Sequence, residues 1–228
     1  MRIAVLHHRC RGDAAADVAA LTEAARSACE QDAEVIVCPR PPSLAGMPLD
    51  EREVLLAGID GCAEGAALLV SFAADDDSTG RIVETPLGTT ALASGDACLR
   101  PETASRIKEA RADSVVWRPG AESELQAEAI LEYALECAPA LAGLVVLAEC
   151  SGTVVHPAHD GTSAIIHLGE LVAESASADD EVLMVDVEVP LPAPEPDLAL
   201  PEPPPMLVQR IAAHEGRKPP VDYPADLS

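Results

Sequence analysis

Residues 85–102, TPLGTTALASGDACLRPE, constrain the fold more than any other stretch. Thr85, Pro86 and Gly88 make a turn, residues 89–93 a short buried strand, and Ser94, Gly95 and Asp96 a small-residue elbow, after which Pro101 opens a helix. A strand that stops at a tight elbow before a helix commits the chain to α/β architecture. It is also where α/β enzymes often hold a nucleophile.

The flanking segments alternate in the same way. Residues 2–6 form an apolar strand, and 13–29 carry Val18, Leu21, Ala25 and Ala28 at helical spacing. A second apolar strand over 34–38 is stopped by Pro39, Pro41 and Pro42. A helix capped by Asp50 is expected over 50–63, a third strand over 66–72, and a helix from Pro101 to about residue 110. Strand 114–117, a long acidic helix 122–137 and strand 144–150 follow, then short strands at 153–156, 163–166, 171–174 and 182–187. Strands apolar on both faces need cover on both, which two stacked sheets with helices outside provide.

From Pro190 the composition changes. PLPAPEPDLALPEPPP is proline-dense and acidic, extended chain rather than core, so 1–189 reads as a domain and 190–228 as a tail. Within the tail 206–214 reads as a short amphipathic helix. Leu191, Leu198, Leu200, Met206, Leu207 and Ile211 favour a tail that docks, on a neighbouring subunit, over one that hangs free.

Charge excludes several partners. The 39 acidic residues against 15 basic ones leave a net charge of -24, a field that repels nucleic acid and anionic membrane surfaces. The acid-rich, lysine-poor composition, with only Lys108 and Lys218, resembles proteins of salt-accumulating halophiles. With one Trp, two Tyr and one Phe, the core must rest on Ala, Val, Leu and Ile. No apolar run reaches membrane-spanning length and no leader precedes the first strand, so a cytoplasmic protein is expected. Seven scattered cysteines without a CxxC pair point to reduced thiols rather than disulfides or zinc. Asp75, Asp76 and Asp77 lack the glycine and distant glutamate of a calcium loop and read as a solvated turn. His156, His159 and Asp160 fall in a turn and read as a solvated loop rather than a metal site. No metal and no cofactor is expected.

The order of segments resembles the nitrilase, or carbon-nitrogen hydrolase, superfamily. RIAVLHH resembles the opening strand, and AEVIVCP the strand that leads to the catalytic glutamate. TPLG precedes the nucleophile strand and RPE follows it. ARADSVVWRP, LEYALEC, and HDGTSAII followed by Gly169 and Glu170 resemble the later strand and helix signatures. The resemblance implies an α/β fold, a four-layer αββα sandwich, that pairs as a homodimer. It also implies a cysteine nucleophile, a glutamate acting as base and acid, and a lysine that stabilises the oxyanion.

This chain departs at each of those positions. Arg40 follows Pro39 where the glutamate belongs, and a guanidinium takes no proton from a thiol. No lysine occurs between Met1 and Lys108, leaving Arg81 as the charge in the lysine's region. The nucleophile position falls on Gly95 in an ungapped reading and on Ser94 if Asp96 is matched to the family's aspartate. Cys98 is a displaced thiol near a helix start, and Glu136 matches an assisting glutamate of many members. Three readings follow. One is a protein that has lost the amidase chemistry and serves as a binding or assembly subunit. Another is a divergent hydrolase using Cys98 or Ser94, with Glu136. The third is a sensor of small anionic metabolites built on Arg40.

Overall fold

A computed structural model describes residues 1–44, 47–48, 54, 57–59, 61, 65–69, 81–152, 161–176, 178–195 and 198–216. One sheet holds β1 (Arg2–Arg9), β2 (Val35–Val37) and β3 (Ala67–Leu69) in parallel. β11 (Glu181–Asp186) runs antiparallel beside β1, and the two-residue β8 (Cys150–Ser151) pairs with the end of β1. The other sheet has the order β10 (Glu170–Glu174), β9 (Ala164–His167), β7 (Leu144–Leu147), β6 (Ser114–Arg118), β5 (Gly88–Ser94), β4 (Arg81–Thr85), with β5, β6 and β7 parallel.

Period-two burial shows why these strands stack. On β1, Ile3 and Val5 face the inter-sheet layer with Val35, Val37, Val116 and Val146, whereas Ala4 and Leu6 face α1 (Ala14–Glu30) through Val18, Leu21 and Ala25. On the other sheet Val116 points inward, and Val115 and Trp117 point out toward α2 (Pro101–Ala110) and α3 (Glu124–Leu141). The layers are therefore α, β, β, α, a four-layer sandwich. Local chemistry sets the helix starts: the Asp13 side chain accepts from the Ala16 N–H, the Ser123 hydroxyl from the Gln126 N–H, and Pro101 occupies the first turn of α2.

Two expectations change. The single strand expected over 144–150 is divided: β7 belongs to one sheet and β8 to the other, and Ala148 and Glu149 carry the chain across between them. The acidic helix runs on to Leu141 through Pro139, four residues past the expected end at Cys137. Of the helix expected over 50–63, only 54, 57–59 and 61 are described, and these are helical. Asp75 to Asp77, residues 153–156 and the His156, His159, Asp160 group lie outside the described residues.

The described part of the tail, residues 190–195 and 198–216, packs on its own chain. Leu191 joins the inter-sheet layer, and Leu207, on α4 (Pro205–His214), is fully buried beside α3 with Leu200 and Ile211 against it. Four of the six apolar residues that argued for docking, Leu191, Leu200, Leu207 and Ile211, thus pack within the protomer, whereas Leu198 is exposed. Because a buried Leu→Ala change loses transfer energy and leaves a cavity, Leu207→Ala should lower unfolding stability by about 3 kcal/mol in denaturant titration. A change near zero would mean that the tail does not share the core.

Candidate functional site

A cavity of about 170 Å³ opens where the parallel strands of both sheets end, lined by Arg40, Ser94, Arg118, Gly120, Ala148, Glu149 and Cys150. Carboxyl ends of parallel strands are the usual ligand-binding edge of α/β folds. Arg40 comes from the loop after β2, Ser94 and Arg118 are the last residues of β5 and β6, and Ala148 and Glu149 form the crossing between the sheets.

The elbow settles which residue reaches this wall. Ser94 sits beside Arg118 in the strand register. Gly95 has φ +54, with no atom within 4 Å of where a Cβ would stand, so backbone conformation rather than space calls for glycine. Its N–H donates to the Arg118 carbonyl at 2.8 Å, and the Trp117 indole N–H donates to its carbonyl at 2.8 Å. The cavity wall thus carries Ser94 rather than Gly95. Asp96 is buried and engaged with α4, its carboxylate 2.8 Å from the Arg210 Nε and 2.7 Å from the His214 Nδ1.

Other expected participants lie elsewhere. Cys98 is buried in the core beneath the helices, and burial, with neighbouring Cys137, pushes its thiol far above the ordinary range. The lowered pKa expected of a thiol near a helix start is overridden by desolvation. Glu136 is exposed on α3, whose core face is built by Tyr133, Ala134, Cys137 and Ala138. Arg81 is exposed at the start of the edge strand β4 and is not among the lining residues. No cluster of three or more metal-ligating side chains occurs among the described residues.

Glu149 is the group whose chemistry stands out. It is 5% exposed, and burial pushes its carboxyl up to about 7 against the opposing pull of the Ala121 N–H, Arg210, and the N–H groups of Gly120 and Cys150. The Ala121 N–H donates to Oε1 at 3.0 Å. Its own N–H donates to the Ser163 Oγ at 3.0 Å, and that oxygen lies 2.9 Å from the His7 Nδ1, tying the crossing to β1. The Cys150 thiol is held well above the ordinary range by its hydrogen bond with Cys10 and by burial. Burial likewise pushes Cys38 up to about 12, although the charge of nearby Arg118 opposes it. The cavity therefore presents two guanidiniums, a hydroxyl, a near-neutral carboxyl and a protonated thiol.

Arg118, Glu149 and Cys150 escaped sequence reasoning. The available signal was a charged residue directly after an apolar strand, in Ser-Val-Val-Trp-Arg and Leu-Val-Val-Leu-Ala-Glu.

Two measurements check this site. Between about 4.5 and 7 the unfolded chain releases the Glu149 proton while the folded chain keeps it, so ionisation costs the folded state stability as pH rises. Glu149→Gln should be more stable than wild type at pH 8 by on the order of 2 kcal/mol, with the two converging at pH 4. Equal stability at pH 8 would contradict the burial account. In native thiol labelling the half-exposed Cys10 and Cys29 should react first among the six described cysteines, and Cys98 only on unfolding. Early labelling of Cys98 would return it to candidacy.

No protein-family model matches the sequence, and no curated protein matches it. Solved structures do. An amidase from Nesterenkonia sp. AN1, in a glutamate-to-glutamine variant with acrylamide added at its active-site cysteine, matches with TM-score 0.64 and 18% identity, covering 82% of this chain and 93% of that one. A cysteine-to-serine variant of the same amidase, described as from the nitrilase superfamily, matches with TM-score 0.63 and 18% identity, covering 82% and 92%. At this identity the likeness is one of fold: the chain is an αββα sandwich of the type seen in nitrilase-superfamily amidases.

Proposed function

We propose that this nitrilase-fold protein has lost carbon-nitrogen hydrolysis and acts as a ligand-binding subunit, in the cytoplasm and as a homodimer. The chemistry of the cavity carries the reading. Thiol-based amide cleavage needs a thiolate, a base to form it and a cation for the oxyanion. Here Arg40 stands in the place of the base, and Arg40 never accepts a proton. Ser94 ends the nucleophile strand, and the one lining thiol, Cys150, stays protonated. What remains, two cations around a space open at the strand ends, suits holding a small molecule.

A second reading is favoured by one observation: Ser94 and Glu149 line the same cavity, and a carboxyl near 7 is tuned for general-base work at neutral pH. Ser94 would attack the amide carbon and pass its proton to ionised Glu149, which hands it to the departing ammonia, and water activated by Glu149 would then hydrolyse the acyl-serine ester. Ammonia release from amides and nitriles of two to four carbons separates the two readings. The binding reading expects none above the buffer blank at any pH from 6 to 9. Release that rises around pH 7 and is abolished by both Ser94→Ala and Glu149→Gln would establish the hydrolase instead.

A further inference from the structure

We propose that α4 is a proton-controlled latch on the cavity wall: charged His214 clasps the elbow and the start of α3, and neutral His214 lets the last turn of α4 come away. This latch acts on the walls, whichever chemistry the cavity carries. The helix reaches those walls at two points. The Arg210 Nε lies 2.8 Å from the carboxylate of Asp96, two residues after the lining Ser94. The Arg210 Nη2 donates to the Pro119 carbonyl, next to the lining Gly120. Arg210 is enclosed, and Leu207 anchors the helix one turn earlier.

His214 closes the clasp. Its Nδ1 lies 2.7 Å from the Asp96 Oδ2, and its Nε2 3.3 Å from the Oε1 of Glu122, the residue before the Ser123 cap of α3. Ionised carboxylates only accept, so both ring nitrogens must donate, and the imidazolium alone does that. A neutral ring has one N–H and turns a lone pair toward the other carboxylate. The hydrogen bond to Asp96 raises the His214 pKa despite partial burial. The clasp is therefore complete below the ordinary value of 6.5 and fails as pH rises through the raised one. Among the described residues, Asp96, Glu122 and Arg210 are the charged groups around His214, and the next residue, Glu215, pairs with Arg100 at the start of α2. At 43% exposure the His214 side chain biases the last turn rather than locking the fold.

The single tryptophan reports on this latch, because the Trp117 indole donates to the carbonyl of Gly95, beside Asp96. Glu149 also changes charge near pH 7, so the titration uses the Glu149→Gln chain. Expected from pH 6 to 9 is a shift in Trp117 emission with a midpoint above 6.5, lost when His214→Gln is added. Trypsin gives a second readout, since cleavage after the enclosed Arg210 requires the helix to open. At pH 6 the added His214→Gln should speed that cleavage about two- to fivefold, the factor of a partly exposed ion pair, and at pH 9 the two chains should cleave alike. Emission that ignores pH, a shift that survives His214→Gln, or equal cleavage at pH 6 overturns the proposal.

Discussion

Burial on both faces of both sheets is the constraint from which the rest of the structure follows. With four aromatic residues in 228, the core is built from small aliphatic side chains, each contributing modest area. The inter-sheet layer compensates by packing Ile3, Val5, Val35, Val37, Val116, Val146 and Ile165 face to face, while α1 and the pair α2, α3 cover the outer faces. Strand interiors then have no room for charge. Polar chemistry is displaced to the strand ends, and the parallel strands of the two sheets bring Arg40, Ser94, Arg118 and Glu149 to one cavity.

The crossing at Ala148 and Glu149 joins the two halves of this arrangement. The chain leaves one sheet at Leu147 and enters the other at Cys150, and the carboxyl between them is enclosed. Backbone N–H groups and Arg210 hold that carboxyl, and Arg210 also lies against Asp96 of the elbow. The C-terminal helix is thereby coupled to the site through Asp96 and Arg210. His214 adds a second contact to Asp96, which raises its pKa despite partial burial. That contribution is fully present below the ordinary histidine value and is lost as pH rises through the raised one.

Much of the fold was legible because it rests on periodicity and punctuation. Pro101 marked the start of α2, the helical spacing of Val18, Leu21, Ala25 and Ala28 marked α1, and apolar runs located the strands that cross the sandwich. The site was legible where a turn announced it, at Arg40 and Ser94. It was hidden where a sheet change interrupts an unbroken apolar run, since nothing local distinguishes Glu149 within 144–150 from the end of one long strand. Cys98 misled for a related reason: its place before a helix is visible in sequence, but its enclosure beside Cys137 is a tertiary fact. The tail's apolar residues identified a docking segment without saying whose surface it meets.

In the proposed function, the strand-elbow-helix frame holds a ligand without attacking it. Oxygen exchange tests it most directly: chain incubated with butyrate in ¹⁸O-labelled water incorporates label faster than buffer if an acyl-serine forms and is hydrolysed. The account predicts exchange no faster than in buffer at every butyrate concentration. Exchange that exceeds buffer and disappears on Ser94→Ala would contradict it.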